Sequence, residues 1–107
     1  MRELTDENFE KLIRESDKPI LVDFFAEWCP PCKALSPILE KLEIEFGEKI
    51  IFAKVNVDTS PITAQKLDIN PIPTVILFKK GEAAASFVGL LPELEIKNWL
   101  EKQIKGN

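Results

Sequence analysis

Apolar residues along this chain switch repeatedly between helical spacing and the continuous or alternating runs of strands. Phe9, Leu12 and Ile13 follow the helical i, i+3, i+4 pattern behind the polar cluster Thr5 to Asn8, which predicts a short amphipathic helix. ILVDFFA, Ile20 to Ala26, is almost unbroken in β-branched and aromatic residues, as expected of a parallel strand covered on both faces. Helical spacing returns with Leu35, Ile38, Leu39, Leu42 and Phe46, where Gly47 offers a C-terminal cap and Pro37 predicts a kink.

Ile50 to Asp58 then alternates as a strand, and SPITAQKL opens with the Ser60-Pro61 order expected of an N-cap and a first helical residue. TVILFK and AAASFV flank the turn Lys80-Gly81-Glu82 and predict an antiparallel hairpin. Pro92 opens a last helix carrying Leu94, Ile96, Leu100 and Ile104. The order is one of βαβαβ-type units followed by a hairpin and a helix. It predicts an α/β fold with helices on both faces of the sheet and reactive groups at the C-terminal ends of parallel strands.

A length of 107 residues fits one domain spanning 1–107, and folding at this size buries roughly 65% of the surface of the unfolded chain. With 45% hydrophobic and 30% charged residues and a formal net charge of -4, the composition is that of an ordinary globular domain, and no basic patch points to nucleic acid. The N-terminus MRELTDEN is charged where a secretory signal requires an apolar run, and no apolar run is long enough to span a bilayer. The expectation is a cytoplasmic protein that engages neither membrane nor nucleic acid. Histidine and tyrosine are absent, which removes Cys-His and Ser-His nucleophile systems and every imidazole metal ligand. Proton transfer near neutral pH then falls to a carboxylate, a lysine or a thiol with a displaced pKa.

Within AEWCPPCK, Cys29 and Cys32 are separated only by Pro30 and Pro31. A structural bridge would close a four-residue loop, worth only roughly 2 kcal/mol in lost chain entropy, and a reducing compartment disfavours it. Structural zinc needs four ligands, so one cysteine pair would require a second chain or carboxylates. A redox pair fits best, because Cys29 follows a strand and starts a helix, where unpaired N–H groups and the helix dipole favour a thiolate. Cys32, one turn later, is expected to be the more buried sulfur, so that Cys29 attacks and Cys32 resolves. Asp23 also stands out, as an isolated carboxylate in an apolar strand. Burial would raise its pKa and let it exchange a proton with the resolving thiol; at a strand edge it would instead be an ordinary solvated acid near a solvated Lys54.

The run VDFFAEWCPPCKALSPILEKL resembles the active-site segment of thioredoxins, and PIPTVILFKKGE followed by FVG resembles their later substrate-binding segment. The resemblance covers nearly the whole chain. It implies the thioredoxin fold, a central mixed β-sheet flanked by helices, and protein-disulfide reductase activity through a reversible Cys29-Cys32 disulfide, with no bound cofactor and no metal. Electrons would come from NADPH through a thioredoxin reductase, and the partners would be that reductase and disulfide-containing client proteins, met by a monomer. The resemblance also assigns proton transfer with Cys32 to Asp23, with Lys54 as its neighbour. Client contact falls to Trp28, Ile72, Pro73, Val88 and Gly89, with Pro73 as the cis-proline beside the cysteines. Ile72 and Val88 taken alone would more often be core residues.

Three positions depart from the family pattern. Phe25 stands where tryptophan is common, Pro71 replaces a common glycine and stiffens the loop before Ile72, and Pro30 replaces the usual glycine between the cysteines. Pro30 and Pro31 therefore become candidates for tuning the redox potential. The competing functions are a thiol oxidase or isomerase on the same fold, a redox-independent interaction subunit, and a metal-bridged dimer.

Overall fold

A computed structural model describes residues 1–105. The elements are β1 (Arg2–Leu4), α1 (Phe9–Glu15), β2 (Ile20–Phe25), α2 (Pro30–Phe46), β3 (Ile51–Asn56), α3 (Pro61–Lys66), β4 (Thr74–Lys79), β5 (Glu82–Val88) and α4 (Glu93–Lys105). The five strands form one mixed sheet in the order β1-β3-β2-β4-β5. β1 and β2 run parallel to β3, whereas β4 runs antiparallel to both β2 and β5. This is the thioredoxin fold expected from the resemblance, with helices on both faces.

Alternation along central β2 creates two cores. Ile20, Val22 and Phe24 pack with Phe9 and Ile13 of α1 and with Ile76 and Phe78 of β4, and the Phe9 ring meets Phe78 edge-on at 5.7 Å. Leu21 faces the other way, into Leu35, Leu39 and Leu42 of α2 and Ile96 and Leu100 of α4. Asp23 shares that second face by alternation.

The βαβαβ order holds as β1-α1-β2-α2-β3, followed after α3 by the antiparallel β4-β5 hairpin and α4. After α3 the chain does not cross the sheet to start a fourth parallel strand. Thr74 pairs with Phe24, the penultimate residue of β2, so the chain re-enters at the edge where it left and runs the opposite way. Thr74 also pairs with Val88, the last residue of β5. The ends of β2, β3 and β5 and the start of β4 therefore meet along one rim.

Smaller departures have local causes. β1 was not anticipated because only Leu4 of its three residues is buried, which leaves no alternation to detect. The strand expected over Ile50 to Asp58 is Ile51–Asn56, because Asn56 bends the chain away: its Oδ1 accepts the N–H groups of Asp58 at 2.9 Å and Thr59 at 3.4 Å. α2 runs through Pro37, whose missing N–H leaves the Lys33 carbonyl without its usual helical partner. Gly47 does cap α2, though in right-handed geometry: a Cβ there would lie 2.6 Å from the Glu43 carbonyl oxygen. The hairpin turn contains only Lys80 and Gly81, both at positive φ, which gives the type I′ twist that suits flanking strands. Ser60 N-caps α3 without a side-chain bond; Asp6 supplies it, accepting from Thr63 N–H at 2.8 Å and Ile62 N–H at 3.2 Å.

Candidate active site

Cys29 follows β2 at the rim and is the N-cap of α2, in extended geometry. Pro30 and Pro31 fill the first two helical positions, where a missing N–H costs no helical hydrogen bond. Cys32 comes third, and its N–H donates to Cys29 Sγ at 3.3 Å. The two cysteines are joined as a disulfide with their Cα atoms 5.3 Å apart. Cys29 Sγ lies 3.9 Å from the Ile72 carbonyl oxygen, and the pair packs with Ala26, Phe25, Val57 and Ile72.

The expected difference in exposure between the sulfurs is not present in the oxidised protein: Cys29 is 3% exposed and Cys32 2%. In the bridged pair both residues pack in one apolar cluster. They differ in what lies beside them, Cys29 adjoining the Ile72 segment and Cys32 a partly open pocket of about 130 Å³.

Asp23 lines that pocket with Phe25, Cys32, Lys33, Ser36 and Lys54. Because β2 is central rather than an edge, the residue is only 2% exposed, and among the described residues its Oδ1 accepts no hydrogen bond. Burial pushes the Asp23 pKa up from an ordinary 3.8 to about 7, against the opposing pull of the Lys54 charge. Lys54 is its register partner on β3, half-buried rather than solvated, with its ammonium 5.6 Å from the centre of the Phe25 ring.

Of the remaining candidates, Ile72 packs against the disulfide and Pro73 is buried. Trp28 is 68% exposed, and its indole N–H donates to Asp58 Oδ2 at 2.8 Å. The Ile72–Pro73 peptide is cis, Ile72 is half-buried, and Val88 is 53% exposed. Neither Ile72 nor Val88 is a core residue. Gly89 adopts φ +90°, a conformation in which its N–H donates to the Pro73 carbonyl at 2.8 Å. The loop before the cis bond is held by Thr74, whose hydroxyl donates to the exposed Pro71 carbonyl at 2.6 Å.

Residue reasoning missed Asp58, Ser36 and Lys33. Asp58 carried no signal of this contact, since water can satisfy the N–H of an exposed tryptophan and the two residues are 30 apart in sequence. Ser36 and Lys33 follow Cys29 and Cys32 at i+3, i+4 and i+7 spacing on α2, which places all four on one helix face.

A family model, "Thioredoxin", matches residues 1–102. The chain belongs to the thioredoxin family. It is 47% identical over 103 residues to a thioredoxin of Buchnera aphidicola subsp. Baizongia pistaciae, covering 96% of this chain and 94% of that protein. A thioredoxin of Rhodospirillum rubrum is 39% identical over 104 residues, covering 97% of this chain and all of its own. One of Acidithiobacillus ferridurans is 42% identical over 101 residues, with 94% of each chain covered. With the cysteine pair of this family in place, the protein is a thiol-disulfide oxidoreductase, a protein-disulfide reductase whose redox-active centre is Cys29-Cys32. The oxidase, isomerase and interaction-subunit alternatives gain no support from these matches.

Proposed function

We propose that the reduced protein donates two electrons to client disulfides, with Cys29 as nucleophile and Cys32 as resolving thiol. The observation that carries this direction is the surroundings of the pair: Cys29 sits beside Ile72 at the apolar rim, whereas Cys32 lines a pocket with the buried Asp23. The Cys29 thiolate attacks one client sulfur, forming a mixed disulfide and releasing the other sulfur as a thiolate. Cys32 loses its proton to Asp23 and attacks Cys29 Sγ. That step breaks the mixed disulfide, expels the client sulfur that was bonded to Cys29 as a thiolate and leaves the Cys29-Cys32 disulfide. A carboxyl titrating near 7 suits this exchange, because it can take and return a proton at neutral pH. Lys54 adjusts the charge of that carboxyl.

Trp28, Ile72, Pro73, Val88 and Gly89 form the client platform. Asp58 fixes the Trp28 ring, and the exposed apolar side chains and nearby backbone accommodate varied extended segments. The disulfide is recharged by an NADPH-dependent thioredoxin reductase, and no dissociable cofactor takes part. The protein acts as a single-domain monomer in the cytoplasm, where such a couple remains supplied with electrons. Among the described residues, no helix is long and apolar enough to cross a membrane.

Alkylation of the reduced protein near neutral pH tests the direction of attack. A limiting amount of iodoacetamide is expected to label Cys29 first, and Cys32→Ser is expected to accumulate a mixed disulfide with a client. Labelling of Cys32 first would reverse the assignment.

A further inference from the structure

Alternation along β2 sends Asp23 and Phe25 to one face of the sheet, and the parallel register sets Lys54 of β3 beside Asp23. A buried carboxyl and a lysine on adjacent strands would ordinarily close into an ion pair, since an unpaired buried charge is costly. Here they do not. Among the described residues Lys54 forms neither an ion pair nor a hydrogen bond with Asp23, whose Oδ1 has no partner. The ammonium lies instead over the Phe25 ring, 5.6 Å from its centroid, within the distance at which the negative ring face attracts a cation. All three side chains line the pocket that also contains Cys32.

We propose that Phe25 is a positioning residue: its ring holds the Lys54 ammonium back from Asp23 and so preserves the carboxyl as a proton carrier instead of a permanently ionised salt-bridge partner. An ammonium in contact with the carboxylate would favour the ionised form far more than one held off by an aromatic face. The other groups facing Asp23 do not replace this control. α2 contributes the disulfide-bonded Cys32 sulfur, the Ser36 hydroxyl and Lys33, whose side chain is exposed, and β4 offers only Val75 at the paired position. The inference rests on the proton-carrier role proposed for Asp23, but the ring's hold on Lys54 can be tested without it.

The test is the titration of the Asp23 carboxyl carbon by NMR in the oxidised protein, where no thiol is present to complicate the curve. Phe25→Leu is expected to free Lys54 and lower the proton affinity of Asp23 by about tenfold, one pKa unit. Phe25→Trp, which keeps a π face, should titrate like the wild type. In a Lys54→Met background, Phe25→Leu should leave the Asp23 titration where Lys54→Met alone puts it. An equal fall in that background would show that the ring works by excluding water, and no fall in either background would show that it positions nothing; both results overturn the proposal. Phe25→Ile, whose β-branched side chain suits a strand, repeats the comparison should Phe25→Leu fold poorly. Failure of the proton-carrier role itself would be read separately, as unchanged disulfide-exchange kinetics in Asp23→Asn.

Discussion

Asp23 makes the stability of this protein depend on pH in the opposite sense to a salt-bridged carboxylate. Its folded pKa, about 7, lies above the ordinary 3.8, so the folded state binds the proton more tightly than the unfolded state. Stability from this group is complete below the unfolded value, declines as pH rises towards 7 and is gone above it. The three-unit interval corresponds to on the order of 4 kcal/mol, and near-complete burial leaves little solvent screening to reduce it. Asp23→Asn is accordingly expected to be more stable than the wild type by a few kcal/mol at pH 8 and close to it at pH 4, as measured by urea unfolding at both. An equal difference at the two pH values would show that the carboxyl stays ionised in the fold. The position of Asp23 was legible because one acid breaks an apolar run. The hold of Asp58 on Trp28 was not, because the two residues are 30 apart in sequence and meet only through the turn at Asn56.

At the scale of elements, the first turn of α2 sets the redox couple. With prolines at its first two positions, only Cys32 among the first three helical residues offers an N–H, and that N–H already points at Cys29 Sγ. A Cys29 thiolate thus has one backbone donor from this turn, which limits stabilisation of the reduced form. Pro30 also restricts the reduced loop, so less entropy is lost when the disulfide closes. Both effects favour the disulfide. Pro30→Gly is expected to make the couple more oxidising by about 10–20 mV, the equivalent of roughly 0.4–1 kcal/mol for one backbone substitution. Redox titration of both proteins in one glutathione buffer decides it, and a lower potential for the glycine variant would mean that the di-proline turn opposes the disulfide. Helices and central strands were legible from periodicity, since their buried faces repeat over many residues. The three-residue β1 and the capping of α3 by Asp6 were not, because one buried side chain gives no period and the cap comes from a distant loop.

Across the whole molecule, function depends on where the chain re-enters its sheet. Because β4 starts opposite the end of β2, the Ile72–Pro73 segment is laid against Cys29, and Gly89 at the end of β5 is tied to Pro73. A fourth parallel strand would have started at the opposite rim and left the cysteines without this platform. Strand direction could not be read from apolar runs, which look alike in parallel and antiparallel central strands; the resemblance to thioredoxins supplied the mixed sheet instead. Asp23 is buried beside Cys32, whereas Trp28 and Val88 are exposed. The most direct measurement of the central claim is the reduction of insulin disulfides by dithiothreitol with and without the protein. The wild type is expected to accelerate the reaction catalytically, and Cys29→Ser and Cys32→Ser are each expected to abolish that acceleration, Cys29→Ser by removing the attack and Cys32→Ser by stalling at the mixed disulfide. Full acceleration by Cys29→Ser would contradict the account.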